Sequence, residues 1–298
     1  MPAIPAIAAL VLAAATSAAA AQVPPPTGVE PDRPVIAPIT APVPTSESTP
    51  ESTNLPRPDE LPPGDPPPPE PELLPLRALA LDPHTADEAR IRLDAHLDAH
   101  ADSAWAQLLY AMSYHVQGRY GSARPHFERA IRLEPRLSAT YHFYGYCLYY
   151  LGEAERARAA FEMHLHFLPR EGNSHFGIGL IDLDEDHIDD AERRFRLAIE
   201  YQAGNRRRIK DVAAAHARLS DVDVRRGHLD DALDELDTAV ALYPDLYGAH
   251  LKRYQVLVRL GRDEDADHAY DAYEAALARV RPELSTGGAA PSAGAARP

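Results

Sequence analysis

The sequence predicts an all-α chain: a solenoid of antiparallel helix pairs, preceded by a proline-rich segment that cannot build a core. Three observations carry this. Landmark residues recur 34 positions apart through the body of the chain. Apolar residues between the landmarks follow helical spacing. Of the 29 prolines, 19 crowd between Pro24 and Pro75, leaving the repeating part nearly free of helix breakers.

Taken in order, residues 1–21 read as a cleaved signal peptide. Ile4 to Ala21 carries no charge, and Ala19-Ala20-Ala21 before Gln22 supplies the small residues a signal peptidase needs. No cysteine lies near that point to take a lipid. Export to the periplasm or the medium is the expected localisation, and the arginine-, alanine- and proline-rich composition fits a GC-rich bacterial genome. Residues 22–72 read as an acidic, disordered linker. From Val23 to Pro75 there are nine acids against Arg33 and Arg57, and no aromatic residue. PxxP spacings such as Pro31-Asp32-Arg33-Pro34 occur here, though a plain spacer is the simpler reading.

From Leu76 to Pro282 the period takes over. Pro135 and Pro169 are 34 residues apart, as are Gly118 and Gly152, Ala123 and Ala157, and Phe127 and Phe161. Ala191 and Phe195 extend the series by another 34. After an insertion it resumes at Gly227 and Gly261, Ala232 and Ala266, and Leu236 and Tyr270. Each period reads as two helices. Glycine ends the first, where a positive φ is wanted. Alanine permits close approach, phenylalanine fills the gap, and proline stops the second helix.

On these residues the chain resembles the tetratricopeptide-repeat family. The resemblance implies a right-handed superhelix with a concave groove that holds a protein or peptide partner. Five units follow, at residues 104–137, 138–171, 172–205, 213–246 and 247–280, with a partial capping repeat at 73–103 and a disordered tail at 283–298. Departures are Gln107 at a usually bulky position, His164 where alanine is usual, and the insertion Arg206 to Val212.

Chemistry-bearing motifs are few. The 14 histidines include His96 and His100 at helical spacing, but no His-Glu-x-x-His pattern, so solvated surface histidines are expected. Asp182-Leu183-Asp184-Glu185-Asp186 opens like a calcium loop, yet His187 and Arg193 stand where glycine and a bidentate glutamate are required. Cys147 is the only cysteine, which excludes an intrachain disulfide. No phosphate loop or nucleophile elbow appears. No catalytic, cofactor or metal residue is therefore assigned. A net charge of −15 argues against nucleic acid as a partner, and no apolar run of the mature chain is long enough to span a membrane.

The groove implied by the resemblance is lined by the first helix of each unit. Period 3.6 places His142, Phe143, Tyr146, Tyr149 and Tyr150 there, followed by Phe176 and Leu180. Arg218, Arg225, Lys252, Gln255 and Arg259 line the remainder, giving an aromatic half and a basic half. Relatives that clamp a C-terminal carboxylate use asparagines where this chain has Phe143 and Tyr146, so that mode is not expected. The predicted function is a protein–protein interaction scaffold in the cell envelope or outside the cell. The rivals are an accessory subunit positioning an envelope enzyme or polysaccharide machine, and a self-associating structural oligomer.

Overall fold

The structure, a computed structural model, describes residues 55–282. The expected signal peptide, the first part of the linker and the expected C-terminal tail lie outside the described residues. Among the described residues there are helices and no strand. An opening pair, α1 (Leu74–Leu81) and α2 (Ala86–Ala99), precedes five longer pairs. These are α3 (Ala104–His115) with α4 (Tyr120–Leu133), α5 (Ser138–Tyr150) with α6 (Ala154–Phe167), and α7 (Gly172–Asp184) with α8 (Ile188–Gln202). Then come α9 (Ile209–Arg226) with α10 (Leu229–Leu242), and α11 (Tyr247–Arg259) with α12 (Asp263–Val280).

The bend inside each pair is a backbone problem with a local solution. Gly118, Gly152, Gly227 and Gly261 all sit at positive φ, between 70° and 81°, just after the first helix. That conformation costs a side chain energy but costs glycine nothing. The third pair has Asp186 at the equivalent place, also left-handed at φ 63°. Aspartate is among the few residues that tolerate it.

Packing within pairs follows from residue size. Ala123, Ala157, Ala191, Ala232 and Ala266 are buried where the two helices touch, and Phe127, Phe161 and Phe195 are fully buried beside them. Phe161 is held between two glycines of successive first helices. A Cβ on Gly145 would lie 2.6 Å from the ring and one on Gly177 2.5 Å, so only hydrogen fits at either place.

A polar tie also repeats between units. The Tyr141 hydroxyl donates to the Pro135 carbonyl at 2.7 Å. Nε2 of His175 donates to Pro169 O at 3.2 Å, and Nε2 of His250 to Pro244 O at 2.9 Å. In each case the fourth residue of a unit caps the proline turn six residues earlier, satisfying a carbonyl that the helix end leaves open.

First helices of neighbouring units pack directly on one another, α1 on α3, α3 on α5, and so on to α9 on α11. They form the inner layer, and each second helix lies outside, bridging to the next unit. One apolar core runs from Leu73 to Val222 and a second from Ala217 to Ala269. The two meet on α9, which contributes to both. The insertion becomes a 3-10 turn, Arg206–Arg208, followed by an early start to α9. Its Arg208 is turned inward, 3.4 Å from Glu171 and 3.3 Å from Asp211.

The linker expectation needs correction at its C-terminal end. Residues 55–72 are not free of the repeats. Two 3-10 turns, Pro58–Glu60 and Pro71–Leu73, bracket an extended stretch, and Leu55 and Leu61 pack on the apolar core. Composition missed this because prolines remove donors but leave carbonyls, and the repeats supply donors for them.

Candidate partner-binding face

The inner layer divides into three regions with different chemistry. The first is already occupied. On α3, Gln107 and Tyr110 face α4, where both meet His126. Trp105, at the start of the same inner helix, donates its indole Nε1–H to the Pro67 carbonyl at 2.8 Å. Covered in this way, the largest side chain of the chain is only 9% exposed. At the α4–α5 connection, Arg136 lays Nε and Nη2 against the two oxygens of Glu134, both at 2.7 Å. Its Nη1 is left to donate to Pro63 O at 2.9 Å. An extended stretch of the chain thus lies across the start of the inner layer.

The second region, from α5 to α7, was expected to offer aromatic side chains. It is closed instead. His142 is 1% exposed, Tyr146 4% and Phe176 7%; Phe143 and Leu180 are also buried. The reason is the start of α7, where Asn173 and Ser174 are tied by hydrogen bonds to α5, while Gly172 lies against Gln202 and Ala198 of α8. The Tyr146 hydroxyl donates to Asn173 O at 2.9 Å. Ser174 Oγ lies 3.3 Å from His142 Nδ1 and 2.7 Å from His164 Nδ1. A hydroxyl has one proton, so one imidazole accepts it and the other donates to the oxygen. Burial pushes His164 down to about 3, and His142 is held well below its usual value by burial and by His164. Ser174 is fully buried, so this serine–histidine contact is an interior strut and not a nucleophile. Of the aromatic candidates, Tyr149 and Tyr150 keep partial exposure. The Tyr149 hydroxyl donates to Asp184 at 2.7 Å, and Tyr150 stacks on Tyr120 at 4.6 Å.

The third region, α9 to α11, is open and basic. Arg225 reaches Asp186 at 2.8 Å, and Arg218 reaches Asp221 at 3.1 Å. Lys252 also holds Asp221, at 2.5 Å; its desolvation outweighs that carboxylate and pushes its pKa down. Arg259 is exposed, as is Gln255, and the Val258 side chain between them is 47% exposed. Three basic groups thus share Asp221 and Asp186, and with Arg259 they leave positive charge in excess over these two carboxylates beside an apolar side chain.

Elsewhere, ligand atoms of Asp182, Glu185 and His187 come within 4.8 Å of one another. The Arg158 guanidinium already occupies this group's carboxylates, 2.7 Å from Asp182 and 2.8 Å from Glu185. Cys147 is buried and its thiol is pushed up to about 12 by desolvation. Among the described residues no helix is long and apolar enough to cross a membrane.

Repeated helix pairs with inner first helices, glycine bends and buried alanine–phenylalanine contacts define the architecture, and solved structures share it. The chain superposes on the Cut9–Hcn1 structure of the APC/C hetero-tetramer with a TM-score of 0.59, at 18% identity over 65% of this chain. It spans only 37% of that chain. The chain has the tetratricopeptide-repeat fold. PilW, a type IV pilus biogenesis factor, matches this repeat chain with a TM-score of 0.55 at 19% identity, over 70% of this chain and 92% of its own. PilF of Pseudomonas aeruginosa matches with a TM-score of 0.52 at 16% identity, over 67% and 86%. At such identities the likeness to these tetratricopeptide-repeat structures is one of fold. No family model and no curated protein matches the sequence.

Proposed function

We propose that the chain is a protein-interaction scaffold that holds an extended partner segment along its inner layer, outside the cytoplasm. One observation carries this reading: the inner layer already holds an extended stretch, residues 55–70, through side-chain donors aimed at main-chain carbonyls. A surface that recognises carbonyls in this way is suited to peptide chain, and beyond the closed middle the same layer opens again on α9 and α11. There Arg225, Arg218, Lys252 and Arg259 favour an acidic stretch, with Tyr149, Tyr150 and Val258 as apolar contacts. Arginine and tyrosine are frequent anchors at protein interfaces. The uncharged run from Ile4 to Ala21 supports export, and the sealed Ser174 contact supports a non-catalytic role.

The test is site-specific cross-linking in the native host. A photo-reactive residue at Gln255 or Val258 is expected to capture a partner protein, whereas one at Arg196 on the outer helix α8 is not. Capture from Arg196 alone would move the interface to the outer layer and refute the reading.

A further inference from the structure

The occupied region points to a ligand class. We infer that the start of the inner layer is a recognition site for proline-rich chain, with residues 55–69 as its tethered ligand; this rests on the inner layer being the binding face.

Four observations converge. Pro66 to Pro69 is an unbroken proline run, so the stretch has no N–H groups there with which to pair its own carbonyls. The site answers with donors. Trp105 Nε1 is a donor only, and Arg136 has no acceptor at all. Second, Arg136 is aimed by the protein and not by the ligand. Its other nitrogens are fixed on Glu134, a buried residue of the α4–α5 connection, so Nη1 stays directed at the site when the stretch leaves.

Third, the hold is shallow: no residue from Leu55 to Glu70 is fully buried. Leu55 and Leu61 are half-buried against the core, and Pro62, Pro63, Pro67 and Pro68 are exposed. A built-in part of the core would be buried; a ligand on a face is not. Fourth, the geometry requires a particular backbone. Gly64, between Leu61 and the proline run, sits at φ 95°, beside the Arg136 guanidinium. Gly64 lies between the two recognised carbonyls, of Pro63 and Pro67, so the part of the ligand held extended by proline is the run Pro66 to Pro69. A polyproline chain is already extended, so docking it freezes little freedom.

The partner that fits is therefore a second proline-rich segment carrying a leucine two residues before the first recognised carbonyl. It competes with residues 55–69. A short tether gives the internal stretch an effective concentration in the millimolar range, so an external segment gains the site only when the internal one is weakened or the rival is abundant.

Trp105 is the sole tryptophan, so its fluorescence reports this site in the full chain. In the wild type the indole is expected to be shielded from acrylamide. Leu61→Asp should release the stretch and raise quenching severalfold. A synthetic peptide spanning residues 55–71 should then restore shielding, while the same peptide with Pro66 to Pro69 replaced by alanine should not. Adding Arg136→Ala to the released variant should abolish the rescue. If Leu61→Asp lowers the helical circular dichroism, Gly64→Val takes its place, since valine resists positive φ.

Equal quenching in wild type and released variant overturns the inference, because the stretch is then not seated. Failure of the proline peptide to restore shielding at millimolar concentration shows a fixed strap and also overturns it. Equal rescue by the alanine peptide shows that proline is not selected. Any of these, with Arg225→Glu still weakening partner binding, defeats this inference and leaves the scaffold reading in place.

Discussion

Asp186 occupies the position where four sister units place glycine, and it keeps their left-handed backbone. Its only visible compensation is an exposed ion pair with Arg225. Exposed pairs contribute little, whereas a left-handed aspartate costs about 1–2 kcal/mol. Asp186→Gly is therefore expected to raise stability by roughly 1 kcal/mol, read as a higher urea midpoint with unchanged slope. The position was readable from the period alone, since 152 plus one repeat is 186. Glycines in the first helices make a second comparison. Gly248 has nothing within 4 Å of a new Cβ, and Gly177 meets Phe161 at 2.5 Å. Gly248→Ala should stabilise by about 0.5 kcal/mol through the unfolded chain. Gly177→Ala should cost about 1–3 kcal/mol through overpacking. Thermal midpoints that move together in the two variants would show that the Phe161 contact is not tight.

At the scale of elements, the helix pairs were legible and the closure between pairs was not. Glycine, alanine, phenylalanine and proline spacing marked each bend and contact, because a recurring backbone need calls for a recurring residue. How α5 closes on α7 depends instead on polar ties from Tyr146 and His142 to Asn173 and Ser174, which have no periodic signature. His142, Tyr146 and Phe176 were accordingly read as open groove and are in fact interior. This interior has a pH consequence. His115 is pushed down to about 4 and His164 to about 3, both by burial, and His142 is lowered in the same way. In the unfolded chain they take up protons near 6.5, so stability present above that pH is lost as pH falls toward about 4. Asp211, raised to about 6 by burial, and Glu171, also raised, act in the opposite sense, losing stability as pH rises through that window. Three histidines outweigh two carboxyls, so the melting temperature should fall between pH 6.5 and pH 4. His164→Ala should flatten that slope while lowering the midpoint at pH 7. A flat profile in the wild type would mean that the histidines are solvated.

As a whole, the molecule is a solenoid whose inner layer is occupied at its start, closed in its middle and open where it is basic. The order of repeats was evident from residue spacing; the seating of residues 55–70 was not, because main-chain carbonyls leave no mark in a sequence. Two signs of it were present: a lone tryptophan at the start of α3, and Leu55 and Leu61 in a stretch otherwise poor in large apolar residues. The central claim is that a partner docks on the inner layer. It is tested most directly by the affinity of the cross-linked partner, once identified, for three full-length proteins: wild type, the Arg225→Glu/Arg259→Glu variant, and an outer-layer Arg196→Glu control. The inner-layer variant is expected to bind more weakly, on the order of tenfold or more, about 1.4 kcal/mol, with reduced salt dependence, while the control matches wild type. Unchanged affinity in the inner-layer variant, with weakened binding by the Arg196→Glu control, would contradict it.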